Sequence, residues 1–227
     1  QKEANIWYFG ANAGLDFNSG SPVALNNGQM NTFDGCSSIA DSNGNLLFYT
    51  NGITVWKKNH QVMLNGLGLL GGFSSMQAAL IVKKPGSSSI YYIFTTENHG
   101  GSMYYSEVDM AQQGGFGVVT TNKNIQLAAF TGEKITAVNH VNGNDIWVIT
   151  HDGGNNTFYA YRINSLGIII TPVVTNIGVA PVANQVGCIK ASPNGAFIAI
   201  AHWNLNNAQL FDFDNNTGIL SNVRTLS

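Results

Sequence analysis

The chain has 227 residues, 44% of them hydrophobic and only 10% charged, with a formal net charge of −2. That hydrophobic content excludes a disordered chain, and the length is enough for a sizeable core. The near-neutral balance gives no basis for binding nucleic acid or an anionic membrane. No apolar run approaches the roughly 20 residues that a membrane-spanning helix needs, so no membrane insertion is expected. Gly and Asn replace charged residues as the polar component, the composition of a turn-rich all-β protein.

Taken in order, Asn5–Gly10 is an aromatic-rich strand, with Leu15–Asn18 and Pro22–Leu25 as two more. This group reads as a repeat unit without its first strand. Asp34–Asn65 is the clearest unit. Its strands are Ser37–Asp41, Asn45–Thr50, Ile53–Lys57 and Gln61–Leu64, separated by the turns Ser42-Asn43-Gly44 and Asn51-Gly52. Gly/Asn turns between short apolar or alternating runs specify an antiparallel meander. The Gly-rich stretch Gly66–Gly72 follows as a loop. The third unit is Ala78–Lys84, Ile90–Thr96, Met103–Met110 and Val118–Leu127. The fourth is Lys134–Asn139, Asp145–His151, Thr157–Asn164 and Ile168–Ile177, and the fifth Gly187–Ser192, Ala196–His202, Gln209–Asp214 and Ile219–Leu226. No stretch longer than a turn or two carries a helical period.

The first hairpin turns fix a common register: Ser42-Asn43-Gly44, Pro85-Gly86-Ser87, Val141-Asn142-Gly143 and Pro193-Asn194-Gly195. A meander recurring about every 45–55 residues is the signature of a β-propeller, with a β-sandwich as the alternative fold. The expected organisation is a single propeller domain. Residues 1–33 form a partial blade, and 34–72, 73–130, 131–181 and 182–227 form four more. The missing first strand at the start has no counterpart at the end. An incomplete ring, or the N-terminal part of a larger propeller, is therefore expected. The start at Gln1 is compatible with a processed mature terminus or a trimmed chain. Cys36 and Cys188 are too few for a disulfide framework and are expected to be free and mostly buried.

The segments NIWYFGANAGLDFNSGSP, IADSNGNLLFYTNGITVWKKNHQVM, KPGSSSIYYIF and LFDFDNNTG carry a resemblance. Together they are similar to the N-terminal propeller-like region of large secreted Bacteroidota surface proteins. Those proteins are associated with gliding motility and type IX secretion and often carry PKD repeats. The resemblance covers nearly the whole chain and implies a secreted, cell-surface location. It transfers no catalytic residue.

Two sets of polar residues follow from the register. Counting back from each hairpin turn gives Asp34, Gln77, Glu133 and Gln185, expected at the mouth of the central channel. Convergent carboxylate and amide oxygens suit bound water or a hard cation such as Ca²⁺. Alternation along the strand turns Lys134 away from that ring. Asn51, Glu97, His151 and His202 end the second strands, with His99, Asp152 and Trp203 nearby, and are expected on one binding face. His with carboxylate can do acid–base chemistry or bind zinc, but no HxH or HxxxH spacing occurs, and solvated loop histidines are expected. The alternating aromatics are assigned to packing between blades, with sugar stacking by exposed Tyr or Trp203 as the alternative. No Walker loop, nucleophile elbow or CxxC is present.

The expected function is a non-enzymatic surface module for adhesion or protein–protein contact, with other surface proteins or glycans as partners and no cofactor. The alternatives are a glycan hydrolase, lyase or binding module using Glu97, His99, His151 and His202, and a structural spacer or filament subunit.

Overall fold

The computed structural model describes residues 2–181 and 186–226. It is all-β apart from two single-turn 3₁₀ segments, Gln113–Gly115 and Trp203–Leu205. Strands β1 (Ile6–Phe9), β2 (Ala13–Asp16) and β3 (Val23–Leu25) form a three-stranded sheet. Four strands follow as β4 (Ser37–Ala40), β5 (Leu46–Thr50), β6 (Thr54–Lys57) and β7 (Val62–Leu67). Next come β8 (Ala79–Lys83), β9 (Ile90–Thr96), β10 (Met103–Asp109), β11 (Val118–Val119) and β12 (Ile125–Ala128). These belong to one nine-stranded sheet with the path β4-β5-β6-β7-β11-β10-β9-β8, β12 lying off it.

A five-stranded sheet holds β13 (Thr131–Asn139), β14 (Ile146–Asp152), β15 (Thr157–Asn164), β16 (Gly167–Ile168) and β17 (Val173–Asn176). The last sheet orders β18 (Gly187–Ala191), β19 (Phe197–His202), β20 (Asn207–Asp214) and β21 (Ile219–Leu226). Neighbouring strands of the first, second, fourth and fifth sequence-read units pair antiparallel, as do β10 and β11 of the third, in keeping with short Gly/Asn turns. Two features differ from the sequence reading. The fourth strands of the third and fourth units are each broken in two. A single parallel pairing, Leu64 with Val118, also joins β7 to β11 and makes one sheet of two meanders.

The chain divides into two compact units. Gln1–Val82, Ser89–Thr95 and Tyr104–Ile125 make the first; Lys83–Ser88, Thr96–Met103 and Gln126–Ser227 make the second. Among the described residues, two apolar clusters lie in the first unit. Ile6, Tyr8, Met30, Ala40 and Tyr49 form one, with the Tyr8 and Tyr49 rings stacked at 4.6 Å. Phe48, Val55, Met63, Ile93 and Val108 are among the other. In the second unit, Val138, Trp147, Ile149 and Phe158 of the β13–β17 sheet interdigitate with Ile189, Ile198, Ile200 and Phe211 of the β18–β21 sheet. Each fully buried side chain of this size contributes about 1.5–3 kcal/mol, which makes sheet-on-sheet packing the main stabilising term. No helix among the described residues is long and apolar enough to cross a membrane.

Candidate functional site

The sequence-selected residues fall into two environments, one in each unit. In the first unit, Asp34 precedes β4 and Gln77 precedes β8. Their backbones are close: the Gly35 amide donates to the Ser75 carbonyl at 2.9 Å, and a Cβ on Gly35 would collide with the Ala78 amide. Asp34 is half-buried and accepts a hydrogen bond from the Ser74 hydroxyl at 3.0 Å. Beside this pair, Phe33 is 84% and Phe73 55% exposed, with their rings edge to face at 6.2 Å. Asn51 is a turn former: its Oδ1 accepts from the Ile53 and Thr54 amides at 3.0 and 2.9 Å.

The second unit is different. Glu133, Lys134, His151 and His202 are all buried, Lys134 completely so. The Glu97–Ser102 loop closes over the start of β13. There the His99 amide donates to Glu133 Oε1 at 2.9 Å and the Thr131 amide to the Gly101 carbonyl at 2.8 Å. Glu97 is occupied within that loop, its Oε2 accepting from the Ser102 amide at 2.7 Å, while the His99 ring is exposed. His151 and His202 lie edge to face, ring centroids 5.6 Å apart. His151 Nδ1 contacts the Asp152 carbonyl at 2.8 Å, and its ring packs on Phe158 at 4.5 Å. Neither ring nitrogen of His202 has a hydrogen-bond partner among the described residues. Trp203, 65% exposed, sits in the 3₁₀ turn after β19.

Burial sets the electrostatics of this cluster. Desolvation pulls His151 down to about 3 and His202 to about 4, with the Lys134 charge adding to both effects. It pulls Lys134 down to about 8, against the opposing attraction of Glu133. Both histidines are therefore neutral near pH 7, and Lys134 gives up its proton far more readily than a surface lysine. A neutral histidine pair beside such an amine is chemically capable of proton transfer. The cluster is nonetheless tightly packed. Gly187, at φ +150°, lies against it, and a Cβ there would collide with the Ala201 carbonyl and come within 2.8 Å of Lys134 Cε.

Several expectations are corrected here. His151 and His202 are buried strand residues, not solvated loop residues, because β14 runs on to Asp152 and β19 to His202. Lys134, expected to alternate away from Glu133 along the strand, is buried together with it. A register shift between Thr131 and Ile135 marks a bulge that interrupts the two-residue alternation, so that Glu133 and Lys134 are both buried. Both cysteines are free, but Cys36 is only half-buried and Cys188 is exposed. Gln185 lies outside the described residues. Lys134 itself was missed as a member of the cluster; the Thr-Gly-Glu-Lys run gives no apolar period to mark a buried lysine. Among the described residues, no three His, Cys, Asp or Glu side chains come together as a metal-binding group.

No model of a known protein family and no curated protein sequence matches the chain. Among solved structures, a functionally unknown protein from Desulfotomaculum acetoxidans aligns with a TM-score of 0.55 at 12% identity. That alignment covers 99% of this chain and 67% of the other. A periplasmic gluconolactonase from Pseudomonas aeruginosa gives 0.49 at 14% identity, covering 95% and 66%. A Lactobacillus plantarum protein gives 0.46 at 14% identity, covering 95% and 68%. The chain thus spans about two thirds of the length of these neighbours. At such identities the likeness concerns the fold alone.

Proposed function

We propose that the chain is a run of β-propeller blades, divided at 1–33, 34–72, 73–130, 131–181 and 182–227. It serves as a non-enzymatic contact module of an exported cell-surface protein. The observation that carries the reading is the exposed Phe33–Phe73 pair beside Asp34. Two large aromatic rings stand edge to face and largely exposed, on segments leading into β4 and β8. Such rings, with a polar neighbour, are the usual anchors of a protein interface. The partner class is a surface protein presenting an apolar side chain to this pair. Export to the cell surface rests on the sequence resemblance to secreted Bacteroidota proteins.

A second reading, a propeller hydrolase, draws on Lys134, His151 and His202. The tight packing around these groups counts against it, because a substrate has to touch the residues that turn it over.

The test uses the whole chain immobilised against purified surface proteins and against polysaccharides, with Phe33→Ser/Phe73→Ser as the variant. Loss of about tenfold or more in affinity for a protein partner is expected, the effect of removing interface anchors. Binding unchanged in the double variant would overturn the reading. So would binding to polysaccharide alone, or turnover of sugar lactones or aryl glycosides that is lost in Lys134→Met.

A further inference from the structure

We propose that the partner protein places an arginine against Asp34, its guanidinium on the carboxylate and over the face of Phe33, beside the apolar side chain that meets the ring pair. The inference rests on the contact-module reading and adds the chemistry of the residue that is recognised.

The two segments that build the site are alike in sequence: Thr32-Phe33-Asp34-Gly35 before β4 and Gly72-Phe73-Ser74-Ser75 before β8. Each puts a phenylalanine directly before a hydrogen-bonding side chain. The segments are tied at that second residue by the 3.0 Å bond from the Ser74 hydroxyl to Asp34 Oδ2. Their backbones are fixed as well. The Thr32 amide donates to the Gly10 carbonyl at 3.1 Å, the Gly35 amide to Ser75 at 2.9 Å, and the Ser75 amide to Gly72 at 3.1 Å. A contact surface whose backbone is already ordered loses less entropy when a partner docks. The site lies on the connections into β4 and β8, not on a face of the first or last sheet.

Asp34 is a carboxylate without a cation. Ser74 gives one hydrogen bond to Oδ2, and Oδ1 receives none from a described residue. Among the described residues no lysine or arginine pairs with it. Three lysines of the first unit are engaged elsewhere. Lys57 and Lys58 stand 5.5 and 5.1 Å from the Phe116 ring centre, and Lys123 donates to the Asn65 and Leu67 carbonyls at 3.1 and 2.6 Å.

The second unit contains the completed form of this arrangement. Phe197 lies opposite Asp212 on the β19–β20 pair. Arg224 of β21 bonds to the Asp212 carboxylate, with its guanidinium carbon 5.6 Å from the Phe197 ring centre. One guanidinium thus serves a carboxylate and an aromatic face together. At Asp34 the chain supplies the carboxylate and two rings, and the arginine has to come from the partner.

Aromatic faces carry the negative end of the ring quadrupole, so the exposed rings and the carboxylate attract the same charge. A guanidinium meets both at once, because it is planar enough to lie on a ring and forks its N–H groups toward a carboxylate. An ammonium offers only a point charge.

The experiment titrates the isotope-labelled whole chain with acetyl-leucyl-arginine amide and with acetyl-leucyl-citrulline amide, read by the amide chemical shifts of residues 32–35 and 72–75. Citrulline has the shape of arginine without its charge. Both peptides should bind with millimolar affinity, the arginine peptide about threefold or more tighter at low salt, and the difference should shrink as salt is added. Asp34→Asn, which keeps an acceptor for Ser74, should bring the arginine peptide to the citrulline value, and Asp34→Glu should restore part of the difference. Phe33→Ser/Phe73→Ser should abolish binding of both. Equal affinity of the two peptides, lost with the two rings, would overturn this inference and leave the contact-module reading standing. A lysine peptide that binds as tightly as the arginine peptide would likewise overturn it. Shifts with neither peptide, or binding that survives loss of both rings, would overturn the inference and the reading together.

Discussion

Asp34 in the first unit and Glu133 in the second occupy the same place relative to their hairpin turns, and the fold treats them very differently. Asp34 is half-buried, with one hydroxyl partner from Ser74. Glu133 is buried next to an equally buried lysine and tied to the Glu97–Ser102 loop. Sharing a register position fixes where a residue starts a strand. The local backbone then decides whether the residue meets water. Here the deciding features are a bulge in β13, which turns two consecutive charged side chains inward, and Gly187, which has no side chain where Lys134 passes.

The comparison breaks most sharply at Gly187. Gly187→Ala forces a Cβ against the Ala201 carbonyl and Lys134 in a backbone conformation that L-residues rarely adopt. Stability measured by urea unfolding should fall by about 3 kcal/mol or more. A comparable glycine in the first unit, Gly20, has open space around it, and Gly20→Ala should cost only the strain of its positive φ, about 1 kcal/mol.

The pH profile comes next. Between 6.5 and about 3, the unfolded chain takes up protons that buried His151 and His202 refuse, so stability falls as the solution is acidified through that window. Between about 8 and 10.5, the unfolded chain still holds the proton that Lys134 has released, so stability rises with pH there. Burial pushes Tyr92 and Tyr161 up to about 12, and their earlier ionisation in the unfolded chain lowers stability above pH 10. The optimum should therefore lie near pH 9–10, as these opposing windows require. Lys134→Met should remove the rise above pH 8 and leave the acid limb in place.

Smaller effects sharpen the contrast. His202→Leu removes two ring nitrogens without partners and should leave stability unchanged or raise it by about 1 kcal/mol. Ser74→Ala removes a half-exposed hydrogen bond to Asp34 and should cost about 0.5 kcal/mol in thermal or urea unfolding.

Much of this arrangement is legible in the sequence. Turn dipeptides such as Asn43-Gly44 and Asn194-Gly195 mark hairpins because they accept left-handed backbone, and alternating apolar residues between them mark the strands. The pairing of Leu64 with Val118 was not legible, since it depends on one contact between residues far apart in sequence. The burial of the histidines had a local signal that strand-end reasoning passed over. His151 lies two residues from Ile149, and His202 two from Ile200, so strand alternation alone places both rings on core faces. Lys134 had no such signal, because the bulge breaks the period on which alternation depends.

The central claim is that the groups with the most perturbed chemistry are sealed, while contact is made by exposed aromatic side chains. Trace acetylation of the folded chain at pH 8, read by mass spectrometry of its peptides, tests this directly. An accessible amine held down to about 8 would react ahead of ordinary surface lysines, because more of it is unprotonated. The account predicts the reverse, with Lys134 far behind the exposed Lys83 and Lys190 until the protein is unfolded. Acetylation of Lys134 first would contradict the account and make it a reactive, substrate-accessible amine.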